Sequence, residues 1–144
     1  MCNEANKATV EKMWQALSDM DWDTMKSCMH EDIFYEDVPT EDPGAHGPDN
    51  TVKRLEIAFK HLEKQEQWTH SLVADGDTVI IEHTEKWTFK SGETCEHTFC
   101  TVHKMQDGKV IKWSDYWDVN KFVGQFPGWF LEEMANNSAA DFGS

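Results

Sequence analysis

The stretch Thr78-Val79-Ile80-Ile81-Glu82-His83-Thr84-Glu85-Lys86-Trp87-Thr88-Phe89 decides how the chain is read. Its odd positions are Val79, Ile81, His83, Glu85, Trp87 and Phe89, whereas the even positions are mostly polar. A period of two is the signature of a strand with one buried face, so the odd side points inward. That side carries two ionisable groups, His83 and Glu85, in an otherwise apolar row. An unpaired charge there would cost several kcal/mol, so the two must be paired, neutralised or both.

Working outward, Asp75-Gly76-Asp77 precedes this strand, Ser91-Gly92 follows it, and Asp107-Gly108 comes later. Such pairs at these spacings are hairpin signals and predict an antiparallel meander over 68–74, 78–89, 95–105 and 110–119. Upstream, Val10, Met13, Trp14 and Leu17 fall at i, i+3, i+4 and i+7, the stripe of an amphipathic helix over 5–17. Asp21 is placed to cap a short second helix carrying Trp22, Met25 and Met29. A strand over 33–38 follows, and Pro39, Pro43, Gly44, Gly47 and Pro48 then form a loop that borders a pocket mouth. A third helix is expected from 49 or 50 to about 64, with Val52, Leu55, Phe59 and Leu62 on one face and charged, solvated residues on the other. The final segment over 120–135, broken at Pro127-Gly128, carries Phe122, Val123, Phe126, Trp129 and Phe130 as a helix or lid. Residues 1–135 are read as one domain and 136–144 as a disordered tail. The order of elements predicts an α+β fold: a curved antiparallel sheet wrapped around about three helices, with an interior cavity.

Composition narrows the function. The chain has 144 residues, 13 Lys and Arg against 27 Asp and Glu, and a formal charge of −14. A field this negative repels phosphate backbones and anionic lipid surfaces, so neither nucleic acid nor membrane is an expected partner. The apolar runs are only a few residues long and the first residues lack a signal peptide pattern, which makes the cytoplasm the expected location. Cys2, Cys28, Cys95 and Cys100 form no C-x-x-C pair. The 7 Trp and 8 Phe suit either an aromatic core or an apolar cavity.

The last strand repeats the anomaly of the central one. Its odd face is Ile111, Trp113, Asp115, Trp117 and Val119, with one carboxylate between two tryptophans. On the strand over 33–38 the odd side is Ile33, Tyr35 and Asp37. Tyr35, Asp37, His83, Glu85 and Asp115 are therefore expected to converge in one cavity, with Trp87, Trp113, Trp117 and Phe89 forming its apolar wall. Carboxylates crowded in an apolar cleft cannot all ionise near pH 7, so an acid and a base coexist, as general acid–base chemistry requires. The competing reading makes His83 and Glu85 a satisfied buried pair that ties strands together. His97 and His103 share a face of the neighbouring strand, but no ligand spacing supports a metal site with His83 and Asp115, and neither metal nor cofactor is expected.

The segments Tyr35-Glu36-Asp37-Val38-Pro39, Glu82-His83-Thr84-Glu85-Lys86-Trp87 and Trp113-Ser114-Asp115-Tyr116-Trp117-Asp118 resemble the limonene-1,2-epoxide hydrolase family, a branch of the SnoaL-like, nuclear-transport-factor-2-like (NTF2-like, cystatin-like) superfamily. The resemblance spans about residues 5–126. It implies a cofactor-free hydrolase, commonly a homodimer, that adds water to a small apolar organic epoxide. Tyr35 then matches the tyrosine that holds the water, Glu85 the acid and Asp115 the base. Three positions depart from the family pattern: Asp37 stands for an asparagine, His83 for an arginine and Glu85 for an aspartate. These changes imply three carboxylates balanced by one imidazolium. An isomerase, cyclase or dehydratase using the same cluster, or a noncatalytic binder of an apolar molecule, fits the same residues.

Overall fold

The computed structural model describes residues 3–137. Two helices, α1 (Asn3–Ser18) and α2 (Trp22–Ser27), are followed by strands β1 (Met29–Asp37) and β2 (Ala45–His46) and helix α3 (Pro48–Phe59). Four strands come next: β3 (Leu62–Asp75), β4 (Thr78–Phe89), β5 (Thr94–Gln106) and β6 (Lys109–Tyr116). Two short helices, α4 (Val119–Val123) and α5 (Gly128–Asn136), end the described chain. The strands form one sheet in the order β2-β1-β6-β5-β4-β3. The expected α+β architecture of a curved sheet around helices holds, with five helices rather than about three.

The turns behave as their residues dictate. Gly76, Gly92, Asp107 and Gly108 all take positive φ, the left-handed conformation that tight hairpins need. Asp21 caps α2 as expected, accepting the Thr24 backbone N–H at 3.2 Å and the Thr24 hydroxyl at 2.6 Å. At Gly44 a Cβ would run into the Tyr35 carbonyl oxygen and the Phe34 ring, so only glycine lets β2 lie against β1.

The strand alternation is realised on the concave side. Val79, Ile81, His83, Glu85, Trp87 and Phe89 of β4 are all buried, as are Cys95, His97, Phe99, Thr101, His103 and Met105 of β5. Helix α1 lays Val10, Met13, Trp14 and Leu17 against this surface. The Trp14 ring meets His83, Phe99, His103 and Trp113 edge-on, at centroid separations between 4.5 and 6.2 Å.

Four expectations are corrected. The sheet is mixed, because β1 runs parallel to β6, in the register Tyr35↔Trp113 and Asp37↔Asp115. Parallel neighbours need a long crossover, which α3 and the meander supply. Helix α3 stops at Phe59, and Leu62 opens β3 instead of extending the helical stripe. The segment Glu63-Lys64-Gln65-Glu66-Gln67 favours helix locally, but pairing with β4 overrides that preference. A register shift pairs Met105 with Val110 and Lys104 with Lys112, so Val110 and not Ile111 is the buried residue. Residues 120–135 form two short helices, and most of the tail expected over 136–144 lies outside the described residues.

Candidate active site

One end of the cone opens into a cavity of about 340 Å³ between the sheet, α3 and the C-terminal helices. Trp87, Trp113, Trp117, Phe99, Phe122 and Phe126 make much of its wall, and Tyr35, Asp37, Glu85 and Asp115 reach the same space. Four of the five expected polar residues thus share one cavity. Phe89 does not line it. Its ring lies in the core, packed on Phe130 at 4.8 Å and Trp129 at 5.4 Å.

On the β1–β6 side the parallel register sets two carboxyls beside one phenol. The Tyr35 hydroxyl is 3.3 and 3.4 Å from the two Asp37 oxygens and 3.5 Å from Asp115 Oδ2. Asp115 Oδ1 accepts the Thr101 hydroxyl and the Trp113 indole N–H, each at 2.7 Å. Burial, reinforced by the Asp37 charge, holds the Asp115 carboxyl well above the ordinary aspartate range, and the bonds from Thr101 and Trp113 oppose this only in part. Burial and the same two carboxylates push the Tyr35 phenol up as well. Asp37 Oδ1 accepts the Trp117 indole N–H at 3.0 Å.

The positive charge of this cluster comes from a residue that sequence reasoning missed. Arg54 Nη2 lies 2.8 Å from Asp37 Oδ2 and 2.9 Å from Asp42 Oδ2, with the guanidinium 4.7 Å from the Tyr35 ring centroid. It sits on the α3 face read as solvated, yet the fold buries it. One signal was available: Arg54 is the single arginine among 13 basic residues.

On the β4–β5 side, Glu85 is held twice. His97 Nε2 approaches its Oε1 at 2.8 Å, and the Gln65 amide donates to its Oε2 at 2.9 Å. Gln65 also donates to Gln67 Oε1 at 2.6 Å and accepts the Ser18 hydroxyl at 2.5 Å. From the sequence, His97 enters only as a candidate metal ligand. Its inward parity on β5 and its position opposite Glu85 make it part of the site.

His83 departs from its expected role. It is fully buried behind the cavity wall, between Gln67 at Nδ1 and the Thr101 hydroxyl at 3.1 Å from Nε2. Burial, aided by the neighbouring His103 and His97, depresses it to about 3, so it is a neutral imidazole and not the cation that balances the carboxylates. Since Thr101 donates to Asp115, its oxygen is left to accept from His83 Nε2–H, and His83 Nδ1 accepts from the Gln67 amide. A continuous chain of hydrogen bonds therefore runs from Glu85 through Gln65, Gln67, His83 and Thr101 to Asp115. His103 is a core residue. It accepts the Trp14 indole N–H at 3.0 Å, donates to the Val79 carbonyl at 2.9 Å, and is depressed by burial to about 4.

Among the described residues no group of three or more His, Cys, Asp or Glu side chains is placed to hold a metal ion, and no helix is long and apolar enough to cross a membrane. Cys28 and Cys95 are buried and Cys100 is exposed, all three free. Burial and the Glu85 charge push the Cys95 thiol up to about 12.

The arrangement is a largely apolar cavity with carboxyl groups, a phenol and an imidazole among its lining residues, and chains of known kind share its fold. EphG, an epoxide hydrolase of Mycobacterium tuberculosis, is 28% identical over 123 residues, covering 83% of this chain and 78% of that protein. The structure of an LEH-like epoxide hydrolase from M. tuberculosis superposes with a TM-score of 0.74 at 24% identity, covering 92% of this chain and 94% of that one. A structure from Xanthomonas campestris, assigned as a polyketide cyclase, gives a TM-score of 0.71 at 15% identity, covering 85% of this chain and 97% of that one. The fold is thus the NTF2-like cone, which carries more than one chemistry. The family model for a SnoaL-like domain matches residues 10–113, and the chain belongs to the SnoaL-like domain family.

Proposed function

We propose that the protein is a cofactor-free hydrolase that adds water to a small, mainly apolar epoxide. The observation that carries this reading is the Tyr35–Asp37–Asp115 cluster in the same apolar cavity as the Glu85–His97 pair. A water held by Tyr35 and Asp37 gives its proton to Asp115 while its oxygen attacks an epoxide carbon. The ring C–O bond breaks toward oxygen, which takes a proton from the Glu85–His97 side. A diol forms in one step, without a covalent ester, and proton return from Asp115 resets the site. The raised proton affinity of Asp115 suits this role, because a carboxylate that binds its proton more tightly is, once ionised, a stronger base than an ordinary aspartate. The rate then rises with pH as Asp115 loses its proton. The similarity to EphG supports the same chemistry.

The test is turnover of a panel of epoxides, including a monocyclic terpene epoxide, in 18O-labelled water, with wild type and Asp115→Asn side by side. Labelled diol from wild type, with a loss of about a thousandfold or more in the variant, is expected. Full turnover by folded Asp115→Asn overturns the assignment. Product without label moves the reading to isomerisation or cyclisation, in which the same Asp115 carboxyl would carry the proton. A second copy of the chain is the expected partner: Trp68, Ile80 and Tyr116 lie exposed on the outer sheet face, and the mass in solution tests for a homodimer.

A further inference from the structure

Three side-chain nitrogens of the cavity-lining residues have no hydrogen-bond partner among the described residues: Arg54 Nε, Trp87 Nε1 and His97 Nδ1. A guanidinium and an indole do not release protons near neutral pH, whereas an imidazole does. His97 is also fixed on both faces and along one edge. Its ring is stacked on Phe99 at 4.5 Å and 14° and on Phe122 at 3.7 Å and 10°. One edge is held by Glu85, directly opposite it across β4 and β5, through Nε2. Glu85 is itself fixed by the Gln65 amide on its other oxygen. A carboxylate on one nitrogen, with the second nitrogen buried and left without a partner in a residue that lines the cavity, is an arrangement by which a protein orients a histidine for proton transfer.

We propose that His97, oriented by Glu85, hands the proton to the oxygen released on ring opening. This rests on the epoxide-hydration reading and replaces Glu85 as the atom-level donor within it. The imidazolium keeps Nε2–H on Glu85 Oε1. As the epoxide C–O bond breaks, its electron pair goes to oxygen, which takes the proton from Nδ1. A neutral imidazole remains, with Nε2–H still on Glu85. The water oxygen forms the new C–O bond, its proton passes to Asp115, and the proton later lost from Asp115 restores the imidazolium. The other ionisable groups around His97 are Asp115 on β6, Tyr35 and Asp37 on β1, Asp42 in the loop after β1 and Arg54 on α3, which share its cavity, and His83 on β4, which is neutral. The α4 residue packed on the ring is Phe122.

The experiment compares wild type, His97→Gln and Glu85→Gln on two epoxides. One is a simple alkyl epoxide, whose oxygen leaves only with a proton, and the other carries a trifluoromethyl group that stabilises the alkoxide. His97→Gln retains an amide N–H for Glu85 but has nothing at Nδ1. A fall in kcat of about 10²–10⁴-fold on the alkyl epoxide is expected, with a loss of about tenfold or less on the fluorinated one. Glu85→Gln, which keeps the donor but weakens its orientation, is expected to lose less than His97→Gln on the alkyl epoxide. Equal losses by His97→Gln on both epoxides, or a wild-type kcat in that variant, overturn the proposal. A greater loss in Glu85→Gln than in His97→Gln returns the proton to Glu85. If wild type opens neither epoxide, the hydration reading itself fails, and ring 15N NMR of the wild type then decides the dyad. Nδ1 gaining and losing a proton between about pH 5 and 9, while Nε2 keeps its own, supports it. An Nδ1 that stays unchanged over that range overturns it.

Discussion

The two walls of the cavity solve the same electrostatic problem in different ways. On the β1–β6 wall, Asp37 and Asp115 crowd around Tyr35, and a permanently charged Arg54 reaches in from a helix to balance Asp37 and Asp42. On the β4–β5 wall, Glu85 faces an imidazole instead, with His97 Nε2 at 2.8 Å from its Oε1. A guanidinium fixes charge and geometry at every working pH, whereas an imidazole lets charge move. One wall is therefore suited to hold water and a base, and the other to deliver a proton. The difference lies in the cation, because strand alternation places carboxylates on both walls alike.

The largest effect should come from removing the fixed cation. Arg54→Leu leaves Asp37 and Asp42 without their counter-charge; breaking a fully buried ion pair from one side costs about 3–5 kcal/mol, and these partly buried pairs set that as the upper bound. Chemical denaturation should show that loss, and Arg54→Lys should recover only part of it, since a single ammonium lacks the planar fork that also lies over Tyr35. Wild-type stability in Arg54→Leu would remove the contrast between the walls.

The next largest effect lies in the two histidines behind the cavity wall, His83 and His103, both fully buried. His83 and His103 titrate at about 3 and about 4 when folded, against about 6.5 in an unfolded chain. Depressed values stabilise the fold fully above the unfolded pKa, and the contribution is lost as pH falls toward the folded ones. By pH 5 this amounts to roughly 2 kcal/mol for each histidine. Denaturant midpoints at about pH 7.5 and pH 5 measure it, and equal stability at both would show that these imidazoles are not held neutral.

The smallest effect sharpens the link between the walls. Thr101→Val removes the hydroxyl that donates to Asp115 and accepts from His83. That bond lowers the proton affinity of Asp115, so its loss should move the acidic limb of the pH–rate profile to higher pH and cut kcat about tenfold near neutrality. A profile that stays in place would mean that the chain of hydrogen bonds has no influence on the base.

Much of this site was legible along single strands. The odd positions of 79–89 and the carboxylate between Trp113 and Trp117 pointed inward as read, and Tyr35, Asp37, Glu85 and Asp115 line one cavity. Phe89 obeyed the same alternation but lies too far along β4 to reach the cavity, since parity sets the face of a residue and not its depth. His97 could have been found by counting, because it and Glu85 lie six residues on either side of Ser91 and pair across that hairpin. Leu62 was misread because a stripe of apolar residues at helical spacing continues across the point where β4 captures the chain as β3.

Sequence alone determined which faces are apolar, where the hairpins turn, and that ionisable groups are driven inside, because these follow from the two-residue repeat of a strand and from the conformations that Gly and Asp allow at turns. Tertiary structure alone decided how those charges are neutralised. The parallel pairing of β1 with β6 set Asp37 beside Asp115, the close approach of α3 brought Arg54 to them, and Thr101 came to lie between His83 and Asp115. Electrostatic energy depends on distances and burial among residues far apart in the chain, and those exist only once the sheet has closed around its helices.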